Sequence, residues 1–457
     1  MELTKETINT LKEGLVPLQM FDPTIRDAMY ITRALGIPYI WIDALCIVQD
    51  FIGKDSEWNK EASRMNEIYG GATLTLVAAD ARSVMDGFLT DRHASVSRKW
   101  DQAEDVIKGP WSSRGWTMQE GLLSRRLLYY TSSQMIWRCC EKEIFESGSA
   151  KAIAVTRLSA DEDKFHLWLS PTLLKFKEFS GFWSTQRDNT SLSNPQAFVF
   201  WYQIIKEYSP RSFTNQGDRL VALSGVAKVY GEIIRCNEYV VGLWKPDLIR
   251  GLLWYNQRAR LIPQHPTQDL LVAKQAFPSW GWASAGSAHI GFERIFDELE
   301  KSKLIARVDD VLVDLVDQSQ PFGAVKRASI TLNGPVRRLP RLYNKHWENA
   351  DMPMSELERH ISKIVEQESR SGVDPRYSSP PPGGHFAIVQ MAEGHEELDL
   401  LVLESTGKVS GKTDEYRRTG LISLRSYGDG SWFFDTKGLV VQELRREHWG
   451  LESLTIV

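Results

Sequence analysis

The stretch Tyr39-Ile-Trp-Ile-Asp-Ala-Leu-Cys-Ile-Val-Gln-Asp50 decides how the first third of the chain is read. Tyr39 to Ile42 is apolar at every position, the pattern of a strand buried on both faces at the centre of an α/β sheet, and it ends in the polar Asp43. Upstream, Asp22-Pro23 can cap and open a helix in which Ile25, Ala28, Met29, Thr32 and Leu35 recur at helical spacing until Gly36 stops it. Downstream, Trp58, Ala62, Met65, Ile68 and Tyr69 mark a second amphipathic helix, and Thr73 to Ala78 reads as another strand. Helix, strand, helix, strand is the order that builds a mostly parallel sheet flanked by helices.

Further along, a charged loop from Asp80 to Lys108 leads to Pro110-Trp-Ser-Ser113, which opens a helix carrying Trp116, Glu120 and Leu123 on one face. Arg126 to Thr131 and Gln134 to Cys139 follow as strands, so an α/β domain is expected over residues 1–148. Residues 149–235 read as a helical connection, with helices from Asn194-Pro195 to Ile205 and from Asp218 to Ile233. From there the period shifts toward two, and 236–457 is expected to be a β-rich α+β region with strands at Leu304–Val316, Ala328–Val336, Phe386–Met391, Leu398–Leu403 and Leu421–Leu424. Within it, residues 366–384, which include Ser378-Ser-Pro-Pro-Pro-Gly-Gly384, read as a flexible or extended insertion with nothing to bury.

Composition narrows the classes. A chain of 457 residues with 42% hydrophobic and 25% charged residues is ordinary globular protein of more than one domain. The 16 Trp are more simply packing residues than an exposed binding surface. A net charge of -4 gives no broad attraction for phosphate backbones, so nucleic acid is not an expected partner. Cys46, Cys139, Cys140 and Cys236 are too few for a disulfide framework and too badly spaced for zinc, and Cys46, in an apolar run, reads as a small buried hydrophobe. Met1 to Val16 lacks a signal-peptide core and no stretch is long and apolar enough to span a bilayer, which points to the cytosol. The nine His are scattered, and no metal or cofactor site is expected. Gly411-Lys-Thr413 ends like a phosphate-binding loop, but Thr406 stands where its first glycine would be.

The Tyr39–Asp50 stretch resembles the central motif of the fungal heterokaryon-incompatibility (HET) domain. Leu35-Gly36 upstream, Met65 with Ile68-Tyr69, Ala72 to Ala79, and the block Arg114-Gly-Trp-Thr-Met-Gln-Glu120 with Leu123-Ser124 and Arg126 continue that likeness over roughly residues 3 to 140. Tyr208-Ser209, Asp218-Arg-Leu220, Gly242-Leu-Trp244, Leu253-Trp254 and Pro278-Ser-Trp-Gly-Trp-Ala-Ser284 look like the region that follows such domains. HET domains begin with a strand resembling Leu-Ser-Tyr-Cys-Trp-Gly, ahead of the segment that Thr4-Lys5 matches. The present sequence starts after that point, which implies an N-terminally incomplete domain, whether by adaptation, by recruitment of another strand, or through a shortened gene model.

The resemblance implies an intracellular signalling protein of nonself-triggered programmed cell death, with other incompatibility or NLR-like proteins, or copies of itself, as partners. HET domains are thought to be distantly similar to TIR domains, whose active members hydrolyse NAD+ with a glutamate four residues after a Trp. Trp116 and Glu120 have that spacing. Glu120 would be the catalytic carboxylate and NAD+ the substrate, with Trp116 as a ligand-binding residue on the same helix face; Asp43, at the carboxyl end of the expected strand where α/β sheets place ligands, and Arg114, suited to a phosphate or carboxylate, are the other ligand-binding residues expected. The residues leave alternatives open: Glu120 pairs with Arg114 or Arg125 while Trp116 lies in the core, Asp43 caps the next turn, and Arg114 forms a surface ion pair. A non-enzymatic association module and a degenerate, inactive member are the competing readings of the whole.

Overall fold

A computed structural model describes residues 2–14, 16–49, 57–89, 109–139, 142–146, 148, 150–152, 196–257, 267–292, 303–340, 385–393, 397–411, 413–425 and 449–457. The chain divides into two compact units, Met1–Ser191 with Arg211–Asn237, and Leu192–Pro210 with Glu238–Val457. The insertion expected at 366–384 lies outside the described residues.

The longer helices in chain order are α1 (Pro23–Ala34), α2 (Glu57–Gly71), α3 (Trp116–Leu123), α4 (Gln196–Tyr208), α5 (Val221–Ile234) and α6 (Gln268–Ala276). Of these, α1, α2, α3 and α5 belong to the first unit. Pro23 sits at the start of α1, where its missing N–H costs nothing, and Gly36 takes φ +67° just past its end. The helix expected from Pro110 is broken in two: a single turn at Pro110–Ser113, then extended backbone at Arg114, then α3.

The sheet of this unit runs β1 (Thr75–Ala78), β2 (Arg126–Tyr130), β3 (Met135–Cys139), β4 (Lys142–Phe145) and β5 (Ala150–Ala152), in that spatial order. Only β1 and β2 pair in parallel; the other three ladders are antiparallel. The expectation of a mostly parallel sheet is therefore corrected. Short connections after β2 return the chain as hairpins, and a hairpin can only pair antiparallel strands. Val77, Ala79, Leu127, Tyr129, Ile136 and Phe145 form its core, with Trp111 packed on Tyr129 edge to face at 5.8 Å.

Nor is Tyr39–Ile42 the central strand that its apolar run predicts. Tyr39 to Ile42 lies in no sheet, and Tyr39 is 86% exposed. A strand needs a neighbour for its N–H and C=O groups, and β1 has β2 as its one partner among the described residues. Trp41 instead packs edge to face on Tyr69 of α2, at 5.8 Å. With no sheet around it, Cys46 is an exposed free thiol rather than a buried hydrophobe.

In the second unit, β6 (Tyr239–Val240) and β7 (Leu243–Trp244) form one hairpin, and β8 (Trp254–Asn256) pairs with β9 (Ile290–Phe292). The remaining strands are β10 (Lys303–Leu304), β11 (Arg307–Leu315), β12 (Val325–Pro340), β13 (His385–Glu393), β14 (Glu397–Ser410), β15 (Thr413–Arg425) and β16 (Gly450–Ile456). From β12 to β16 these strands close a five-stranded barrel, because β12 pairs with both β13 and β16. Directions cannot alternate all the way round a ring of five. One pair must be parallel, and it is β15 with β16, through Glu415 opposite Thr455 and Tyr416 opposite Ile456.

Leu400 to Leu403 are buried in succession, so β14 is covered on both faces. Trp201, Trp244, Trp280 and Trp282 are fully buried. The indoles of Trp201 and Trp282 both donate to the carbonyl of Gly242, at 2.9 and 3.1 Å, in a turn where Val241 and Gly242 take φ of 49° and 87°. Trp201 and Trp282 are thus packing residues whose indoles are satisfied.

Candidate functional site

The site is assembled by a docking contact within the first unit. Gly115 N donates to Ser212 O at 2.9 Å and Ser212 N to Ser113 O at 2.7 Å, so residues 211–213 run alongside the break between Pro110–Ser113 and α3. The ring of Phe213 lies against Gly115, where a Cβ would come within 1.8 Å of it; only glycine permits this approach. Arg219 stacks over Phe213 at 4.8 Å and donates to Gln216 Oε1 and Arg211 O, fixing the segment from behind. Arg211 is thereby brought to α3, donating to Arg114 O at 3.2 Å and Thr117 Oγ1 at 3.1 Å.

Glu120, on α3, is partly buried and retains some contact with solvent. Its carboxyl is pushed up to about 7, chiefly by desolvation. Arg114 and Arg211 pull it back down, Asp43 raises it, and a hydrogen bond from the indole of Trp111 lowers it. Tyr69, on α2, is held well above its usual range by burial, by Glu120 and by Asp43, while Arg114 opposes this. The structure therefore brings Glu120, Asp43 and Arg114 into one electrostatic neighbourhood together with Tyr69, Trp111 and Arg211.

Trp116 is engaged elsewhere. Its indole hydrogen-bonds Asp218, whose carboxyl is raised to about 6 by desolvation in spite of that bond and one from Asn215. Positions i and i+4 do share a face of α3, but Asp218 sits on the docked segment and takes the Trp116 N–H. The indole that serves Glu120 is Trp111, one turn earlier, which sequence spacing had not singled out.

Asp43 is exposed and begins a four-residue helix, where its Oδ1 accepts from Ala44 N at 2.8 Å. Ile42 occupies the N-cap position, so Asp43 does not cap this turn, and its charge is felt at Glu120. Arg114 is exposed and its extended backbone separates the two helical pieces. Arg211 carried no sequence signal, being remote in the chain and flanked by Pro210 and Ser212. Among the described residues, no cluster of three or more His, Cys, Asp or Glu could hold a metal ion, and no helix is long and apolar enough to cross a membrane.

What the cluster can do chemically follows from its charges. A carboxyl near 7 is divided between acid and base at neutral pH, so Glu120 can hold or release a proton there, and two arginines offer anchorage for an anionic ligand. Residues 3–97 match the family model described as Heterokaryon incompatibility protein (HET). That segment is similar to the HET domain. The HET match takes in Tyr39–Asp50 with Asp43, Tyr69 and β1, and stops before Arg114 and Glu120. No curated protein and no solved structure matches the chain.

Proposed function

We propose that this chain acts in heterokaryon incompatibility as a cytoplasmic signalling protein of nonself-triggered cell death, and that its first unit hydrolyses NAD+ at Glu120. The observation that carries the reading is the raised, partly exposed carboxyl of Glu120 between Asp43 and two arginines. Perturbed acids of this kind, supported by residues from several segments, are characteristic of reactive sites. In the reaction, the bond between nicotinamide and ribose C1′ breaks and water supplies the new C1′–O bond. Nicotinamide leaves with the electron pair of the broken bond, and ADP-ribose and a proton are released.

Ionised Glu120 would steady the positive charge that develops on the ribose, and Arg114 or Arg211 would hold the pyrophosphate. The test is NAD+ consumption by the purified full chain. Wild-type protein should deplete NAD+ and release nicotinamide, and Glu120→Gln should reduce the rate by about two to three orders of magnitude. Wild-type protein that leaves NAD+ intact at high protein concentration overturns the enzymatic part.

A second reading, a non-enzymatic association module, is favoured by the exposure of Tyr39 and by the place of β1 at the edge of its sheet among the described residues. It expects Glu120→Gln to trigger cell death as fully as wild type.

A further inference from the structure

The second unit holds a buried cation that nothing described in the protein neutralises. Arg418 lies on β15, where Val402 of β14 is opposite Gly420 and Leu403 opposite Arg418, leaving Thr419 as an extra residue in the ladder. Bulges of this kind turn a side chain away from the direction that strict alternation would give it, and they recur beside binding sites. Arg418 is 8% exposed. Its Nη2 donates to Trp254 O, and its guanidinium lies over the Trp254 ring, 3.6 Å from the centroid. Its Nε and Nη1 have no acceptor, and no carboxylate among the described residues forms an ion pair with it.

The surroundings are equally rich in donors. The backbone N–H of Arg418 is accepted by Ser279 Oγ at 2.9 Å. The neighbouring Trp280 is fully buried, its carbonyl accepts from Trp254 Nε1 at 2.9 Å, and its own Nε1 has no acceptor. Arg418, Trp254, Ser279 and Trp280 thus form one linked network in which Ser279 N and Oγ both donate to Val457 O, while Arg418 Nε and Nη1 and Trp280 Nε1 are left without acceptors. An arginine cannot shed its proton to escape burial, and an unpaired buried charge is costly unless a counter-charge reaches it.

We propose that Arg418, with Trp280 Nε1, forms an oxyanion-binding site in the second unit that takes the carboxylate or phosphate group of a small molecule. The partly exposed Trp254 covers one face of the guanidinium. Guanidinium suits both groups, since it presents several N–H donors in one plane and is weakly hydrated.

Thermal unfolding and tryptophan emission of the full chain, titrated in parallel with potassium phosphate, potassium acetate and potassium chloride at matched ionic strength, test this. A ligand that binds only the folded state raises the unfolding midpoint in a saturable way. Phosphate or acetate should raise it above the chloride series, and the more effective of the two names the group the site prefers. Arg418→Met should abolish the increment, and Trp280→Phe, which removes one N–H and keeps an aromatic ring, should weaken the apparent affinity several-fold. The proposal is overturned if wild type shows no increment over chloride, or if the increment survives in Arg418→Met. Should Arg418→Met fail to fold, undiminished affinity in Trp280→Phe overturns it.

Discussion

Two carboxylates of the first unit lie beside arginines, and their surroundings treat them differently. Glu143 on β4 stands directly opposite Arg138 on β3, and Arg138 reaches its Oε1 through both Nε at 3.0 Å and Nη2 at 2.5 Å. Both residues are buried, and the guanidinium also lies 5.2 Å from the ring centre of Tyr129. Burial works against the charge on Arg138, but Tyr129 and Glu143 together hold its proton affinity above the usual value. Glu120 has two arginines in reach and no comparable two-point bond, a second carboxylate that opposes its ionisation, and some exposure to water. The first arrangement is a completed pair that fixes a hairpin. The second leaves a proton in play near neutral pH, which marks a candidate for chemistry rather than for scaffolding.

The comparison breaks most visibly at the completed pair. Glu143→Ala strands a buried guanidinium, and the expected loss is about 3 kcal/mol of stability, the range for removing one partner of such a pair. Arg138→Met combined with Glu143→Ala should recover most of that loss, because the uncompensated charge goes as well. Urea unfolding followed by the signal of the first unit measures both, and a loss under about 1 kcal/mol for the single change would place the pair among weak surface bridges instead.

Glu120 should behave in the opposite sense. Its folded-state value of about 7 lies above the ordinary carboxylate value of 4.5, so the folded state holds the proton more tightly than the unfolded state does. Stability from this group is fully present below about pH 4.5 and is lost as pH rises from there to about 7. The change amounts to an upper limit of about 3 kcal/mol, reduced by the residual exposure of the side chain. Midpoints of thermal unfolding across that window should fall for wild type and stay flatter for Glu120→Gln. Asp218, raised to about 6, contributes a slope of the same sign, so the difference between the two proteins is the quantity to read. Equal slopes would mean that Glu120 is fully solvated.

How far the sequence carried these conclusions depends on how local each one is. Pro23–Ala34 was legible because cap, period and glycine stop all lie within the element. Thr75–Ala78 was legible as a strand, whereas the equally apolar Tyr39–Ile42 was not a strand at all, because apolarity is a property of the run and pairing depends on a distant neighbour. The long C-terminal strands announced themselves by their period, but Gly450–Ile456 was missed, and barrel closure through Glu415 and Thr455 has no signature in either segment. Glu120 was named from a resemblance, Asp43 from its place at the end of an apolar run and Arg114 from its charge, and Asp43 and Arg114 lie within electrostatic reach of Glu120. Arg211 was invisible, since the contact that brings its segment in is Phe213 against Gly115, a close approach between remote residues.

The finest distinction within the Glu120 neighbourhood is between its exposed charges. Asp43 raises the carboxyl and Arg114 lowers it, with Arg114 the stronger of the two, yet both are exposed. Charges at the surface act through a high effective dielectric and weaken beyond roughly 10 Å in about 0.1 M salt. Asp43→Asn should therefore move the Glu120 midpoint down by only a few tenths of a pH unit, and Arg114→Gln should move it up by somewhat more. Both displacements should shrink as salt is raised, whereas desolvation, the main cause of the elevation, should not respond. Carbon-13 NMR of the labelled Glu120 carboxyl reads these midpoints directly. A displacement in Asp43→Asn that persists undiminished at high salt would show that Asp43 touches the site through a buried path rather than across solvent.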